Sequence, residues 1–195
     1  MRKQTMGGVA LLAAAAMVAV LGLAPAMAGT EGKWLHIRVL GGDDGSVKVN
    51  LPVAVLETMA DAIEADHFSN GQIHLSESNI KPEQLRSVWQ SLKNSRDMEF
   101  VTVESDDQNV RVAKSGNFLV VKVNDADRKR GKDTVDIKVP VEVVDALLQA
   151  PEGQLNVKAA LQALANYGGG DLVQVTDGES HVRIWIDGRS DSTDI

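Results

Sequence analysis

One pattern is written twice in this chain. The segment VKVNLPVAVLETM, from Val47, is echoed by VDIKVPVEVVDALL, from Val135. In each, alternate apolar residues run into a proline and then into apolar residues three or four apart. The first spacing is that of a strand with one buried face, the second that of an amphipathic helix. Pro52 and Pro140 have no amide proton to give to a ladder, and their fixed φ suits the start of a helix. Both are expected in the first turns of equivalent helices, whose inner stripes hold Leu56, Met59, Ala60 and Ile63 in one and Val144, Leu147 and Leu148 in the other.

The echo extends to both sides. KWLHIRVL places Leu35, Ile37 and Val39 on one face of a strand, and NFLVVKVN does the same with Leu119, Val121 and Val123. Polar turns, GGDDGS and DADRKRGKD, close each into a hairpin. After the helix, each copy passes a Gly-Gln pair, at Gly71 and Gly153, into a second helix carrying Leu85, Val88, Trp89 and Leu92, or Val157, Leu161, Leu164 and Ala165. Each copy then ends in another hairpin, where Val101, Val103, Val110 and Val112 answer to Val173, Val175, Val182 and Ile184. The predicted fold is α+β: a tandem duplication of a ββ-α-α-ββ unit, with antiparallel sheets, helices packed on one face, and halves related by a pseudo-twofold axis. Two copies indicate a duplicated domain, since a solenoid needs at least three. The predicted divisions are 1–28, a signal peptide; 29–115, the first repeat; 116–187, the second; and 188–195, a disordered acidic tail. Lys114 to Asn117 make a turn short enough for a hairpin across the join, so the halves are expected to be intimate.

Charge follows the duplication. Residues 33–115 carry nine basic and thirteen acidic side chains, and residues 116–195 carry nine and thirteen again. The N-terminus adds a basic start at Arg2 and Lys3, an Ala/Val/Leu run, and Ala26-Met27-Ala28, which together make a secretory signal peptide cleaved after Ala28. Cleavage leaves 167 residues (195 − 28) with a net charge of −9 (18 − 27). Such acidity excludes phosphate backbones and anionic membrane surfaces as natural partners. With no cysteine in the chain, there is neither a disulfide framework nor a thiol for a lipid anchor or a metal.

The run LHIRVL followed by VKVNLPVAVLETM resembles a module of bacterial hypothetical proteins, some of them linked to envelope stress responses. Its pattern is Ile-Arg-Val, a turn, Val-x-Val-Asn-x-Pro and a helix. The match spans residues 34 to 63 and, more loosely, 118 to 148. In its tandem, exported form the chain is similar to uncharacterised secreted bacterial proteins with a duplicated hairpin and Pro-helix module. The motif is a strand-to-helix corner, so the resemblance implies an envelope protein and brings no catalytic residue with it.

No motif of chemistry emerges beside it. His36, His67, His74 and His181 have no zinc-ligand spacing. His36, His74 and His181 are expected to face solvent from their strands, and His67 to lie in a loop after the first helix. The loop from Asn124 offers Asp125 and Asp127 as oxygen ligands, but Lys129 and Arg130 stand where a calcium loop needs more of them. Asp43-Asp44, Asp106-Asp107 and Asp177 with Glu179 belong to predicted turns. The glycines after Tyr167 follow a helix, the reverse of a phosphate loop. Trp89 is expected in the core. Trp185 is opposite in parity to Val182, Ile184 and Ile186, and an outward-facing tryptophan there would be the best single hint of a binding surface. No catalytic residue, metal ligand, cofactor-binding residue or cofactor is predicted. The expected role is an exported, non-catalytic envelope or periplasmic protein that binds a protein partner or a second copy of itself. The alternative is a hydrolase whose site gathers His36 or His74 with carboxylates in the cleft between halves.

Overall fold

Alternation becomes pairing in the computed structural model, which describes residues 32–41, 45–75, 82–105, 108–125, 133–150 and 153–192. The expected signal peptide lies outside these residues, as do Asp43-Asp44, Asp106-Asp107 and most of the loop from Asn124. The first strand, β1 (Trp34–Gly41), turns back into β2 (Gly45–Pro52), with Ile37 opposite Val49 and Val39 opposite Val47. Pro52 is the N-cap of α1 (Val53–Ala62), at φ −58° and ψ 134°. Far along the chain, β7 (Phe118–Asp125) and β8 (Thr134–Pro140) make the matching hairpin, and Pro140 caps α3 (Val141–Leu148) at φ −57° and ψ 137°. Both prolines thus stand one residue before the first turn that was expected to hold them. The strand still needs an extended ψ there, which the proline ring allows while fixing φ for the helix. The first helical amides find matching partners: Val53 N–H donates to the Lys33 carbonyl at 2.9 Å, and Val141 N–H to that of Asn117 at 2.8 Å.

Between α1 and the next long strand lie β3 (Phe68–Ser69), β4 (Gln72–His74) and α2 (Pro82–Lys93). Asn70 and Gly71 join β3 to β4 with φ of 51° and 68°. Positive φ at both central residues is what a two-residue hairpin with the right twist demands, and Asn-Gly supplies it at the lowest steric cost. The hairpins β5 (Met98–Glu104) with β6 (Gln108–Ser115), and β10 (Gly170–Asp177) with β11 (Ser180–Asp187), complete the large sheet. β9 (Gln154–Asn156) leads directly into α4 (Val157–Asn166). The strand order is β2-β1-β11-β10-β8-β7-β6-β5 in the large sheet and β3-β4-β9 in the small one, and every pairing is antiparallel. The chain is therefore an α+β fold of antiparallel sheets and helices.

Two apolar rows cross all eight strands. Val49, Ile37, Ile184, Val173, Ile137, Val121, Val112 and Val101 stand opposite one another in one, and a row of valines from Val47 to Val103 forms the other. β-branched side chains suit this pleated surface, and each contact with a cross-strand neighbour stabilises the sheet by about 0.2–1 kcal/mol. The rows are best buried where β1 meets β11: Ile37 is 5% exposed and Val182 7%, and Ile186, on the same face beside them, is 0% exposed.

The helices bind to each other across the sequence midpoint. α3 packs on α4 and on α2, and α4 packs on α1. The Asp145 carboxylate of α3 accepts from Lys93 Nζ at 2.7 Å and from the Trp89 indole at 3.1 Å, both on α2. Arg86 of α2 donates to the carbonyls of Leu148 and Ala150, just where the last carbonyls of α3 lack helical partners. Trp89 is buried, as its place in the stripe predicts, and it surrounds a small hollow with Leu92, Phe100, Phe118, Leu119 and Val141. Val88 departs from expectation and is 58% exposed. Trp89 and Leu92 face that hollow, and Val88 lies on the flank of their line.

Replacing Ile186 by alanine is expected to cost about 2–5 kcal/mol, because a fully buried side chain is deleted where two strands meet. Val88→Ala is expected to stay within about 0.5 kcal/mol. Urea unfolding of the two variants checks both.

Candidate functional site

On the other face of the sheet, β1 and β11 bring together residues that are 151 positions apart. His36 stands opposite Asn50 of β2 on one side and Trp185 of β11 on the other. Its ring stacks on that of Trp185, with centroids 4.8 Å apart and planes 19° from parallel. Nδ1 lies 2.7 Å from Asn50 Oδ1, and Nε2 lies 3.1 Å from Asp187 Oδ1. His36 was expected to face solvent and is instead 0% exposed. The correction has a local cause. The alternation did place it on the polar face, but the tryptophan of the neighbouring strand covers that face here. Trp185 lies on the polar side as its parity required, yet it is only 6% exposed and does not offer the outward-facing tryptophan that would have hinted at a binding surface.

Both ring nitrogens of His36 are spent. If the Asn50 amide turns its NH₂ toward Nδ1, a neutral ring accepts there and donates to Asp187; if Oδ1 faces the ring, both nitrogens donate. Neither arrangement leaves a lone pair for a substrate or a metal. Asp187 accepts from the Arg189 backbone N–H at 2.7 Å as well, and its second oxygen accepts from the Trp185 indole at 3.2 Å. Burial alone would raise the pKa of this carboxyl, but the donors from Arg189, His36 and Trp185 outweigh burial and hold it below its ordinary 3.8.

Beyond Trp185 the network continues outward. The Arg183 guanidinium lies 4.7 Å from the Trp185 ring centroid, within cation–π range, while its Nε donates to Asp171 at 2.6 Å. Gln174 donates to the other Asp171 oxygen at 2.7 Å. A hollow of about 250 Å³ opens beside these groups, lined by Gly170, Arg183, Trp185, Ile186, Asp187, Arg189, Asp191 and Ser192. Residues 188–192 belong to the tail expected to be disordered. Ser192 is 7% exposed, and Arg189 pairs with Asp191 at 3.6 Å.

The remaining histidines are scattered. His74 bonds to the Ser69 hydroxyl at 2.9 Å within the small sheet, His181 lies 3.3 Å from the Thr176 hydroxyl, and His67 is exposed in the loop after α1. The structure brings neither His74 nor any other histidine to His36. Among the described residues, no group of three or more His, Asp or Glu is placed to hold a metal ion. The sequence reading missed Asn50, Asp187, Arg183 and Asp171. Arg183, Trp185 and Asp187 do share one face of a strand by simple alternation, but nothing local tells that β1 pairs with it.

A family model for the C-terminal domain of YvlB-like proteins matches residues 33–113, from β1 almost to the end of β6. No curated protein and no solved structure matches the chain.

The lowered pKa of Asp187 has a defined sign. A carboxyl that is more acidic in the folded state than in the unfolded state stabilises the fold above its unfolded pKa, and loses that contribution as pH falls through the folded value. Asp145 behaves alike, held down first by Lys93, against its burial, and further by Trp89 and Gln149. The melting temperature is therefore expected to fall as pH drops below 3.8. Asp187→Asn is expected to melt lower than wild type at pH 7, with the gap narrowing in acid. Thermal melts from pH 7 to pH 3 measure this.

Proposed function

We propose that this chain is an exported, non-catalytic interaction protein of the bacterial cell envelope, built by tandem duplication of a ββ-α-α-ββ unit with pseudo-twofold related halves. Several matched details support the duplication. The pairing of β1 with β11 has its counterpart in that of β7 with β6. Register shifts occur at matching places, between Glu99 and Val101 in β5 and between Asp171 and Val173 in β10. The triad Arg183, Asp171 and Gln174 is answered by Arg111, Glu99 and Thr102, with Arg111 lying 3.8 Å from Glu99 and Thr102 donating to it at 3.1 Å.

One observation carries the interaction role. His36, the best placed general base near a carboxylate, is fully enclosed and has both nitrogens engaged, whereas general base catalysis needs a reachable nitrogen. The positions that match His36 and Trp185 in the other half are Val120 and Ala113, so the cluster is unique to one junction. There it acts as a brace that stiffens a surface carrying Arg183 and Arg189. The adjoining hollow falls below the roughly 300 Å³ at which small-molecule sites begin, and it suits a partner's side chain better. Arginine is among the residues enriched at the energetic centres of protein interfaces. Export fits the charged, apolar and small-residue succession of the first 28 residues.

Co-purification from the envelope fraction tests the reading. A partner retained by the wild-type protein is expected to be lost with Arg189→Glu, whose side chain is 54% exposed, while the melting temperature holds. If instead the protein hydrolyses ester, glycosidic or peptide bonds, and a folded His36→Gln variant does not, the hydrolase reading replaces this one. N-terminal sequencing of exported protein is expected to begin at Gly29; material beginning at Met1 would refute the cleavage.

A further inference from the structure

A sheet with two free edges leaves two rows of unpaired backbone donors and acceptors, which soluble proteins usually blunt with lysine, proline or a covering element. Among the described residues, β2 and β5 are those edges. β2 carries Lys48, but β5 reads Met-Glu-Phe-Val-Thr-Val-Glu, with neither lysine nor proline. The apolar rows reach solvent at the same two strands: Val47 on β2 is 42% exposed, and Val101 and Val103 on β5 are 45% and 51% exposed. Beyond the bulge at Phe100, β5 runs in regular register through Glu104.

The sheet contains its own template for what such edges bind. β8 and β10 hold, in the second half, the places that β2 and β5 hold in the first, and they pair antiparallel with Ile137 opposite Val173 and Val135 opposite Val175. Laid together in that register, β2 and β5 would set Val49 against Val101 and Val47 against Val103. Lys48 would then face Thr102, and Ser46 would face Glu104. Apolar meets apolar in both rows and no like charges are opposed, which is the pattern that stabilises cross-strand neighbours. The strand that fits β5 is thus one that every copy of the chain carries.

We infer that the β5 edge docks the β2 edge of a second copy of this chain, in the register of β8 on β10. The inference rests on the duplication and interaction-protein reading above, and it names the partner. Two copies that exchange these edges reciprocally satisfy both at once and close the assembly as a twofold dimer. Within one chain the two strands are the opposite limits of the sheet, and their valines stay in solvent.

The absence of any cysteine from the chain makes the test direct. Sedimentation of the exported protein is expected to give twice the monomer mass, and Val103→Lys, a change at an exposed edge position, is expected to give the monomer with an unchanged melting temperature. Val47→Cys and Val103→Cys protein, mixed and treated with a short bismaleimide, are expected to form a cross-linked heterodimer. The inference is overturned by a wild-type monomer at every concentration, by linkage of Val103→Cys only to itself, or by linkage confined to one chain of the doubly substituted protein. Wild-type protein that dimerises but retains no partner from the envelope fraction would overturn the envelope reading alone.

Discussion

The pairing of β1 with β11 is the contact on which the rest of the molecule depends. It joins the first described strand to the last, and it buries Ile37, Val182 and Ile186 on one face and His36 with Trp185 on the other. Without it the large sheet would lose its best covered segment, and the polar network would fall apart into His36 with Asn50 and Trp185 with Asp187. Its counterpart, β6 with β7, is local and costs only a short turn at Gly116 and Asn117. One junction is thus cheap in loop entropy and the other expensive, and contacts of such long range slow folding.

The two hairpins of residues 29–115, β1 with β2 and β5 with β6, flank the four contiguous long strands of residues 116–187, so the two stretches interlock. The small sheet repeats the theme, with β4 of one half paired to β9 of the other through Ile73 and Leu155. The helices add Asp145 with Lys93 and Trp89, and an exposed ion pair of Lys158 with Asp61 at 2.6 Å. The exposed pair contributes little on its own. The buried indole and the carboxylate that holds it matter more, since removing Asp145 would leave the Trp89 N–H without its acceptor.

Much of this was legible in the sequence. Period-two alternation gave the long strands and their apolar faces, the prolines marked the strand-to-helix corners to within one residue, and the order hairpin, helix, helix, hairpin was read for both stretches, though the short strands β3, β4 and β9 were not. The Asn70-Gly71 turn was equally legible and went unread. What could not be read were the pairings between distant strands. A histidine on the polar side of a strand looks the same in sequence whether it meets water or a tryptophan, so His36 was misplaced with the exposed group. Val88 illustrates the same limit on a helix, where periodicity gives a stripe but the width of the contact line depends on the neighbours.

If the two halves are one interlocked structure, native-state hydrogen exchange followed across increasing denaturant should show it. The account predicts that the central amides of β1, β6, β7 and β11 exchange through a single global opening, with one free energy and one denaturant dependence. Exchange of β1 and β11 through a separate, lower-energy opening while β6 and β7 stay protected would contradict it.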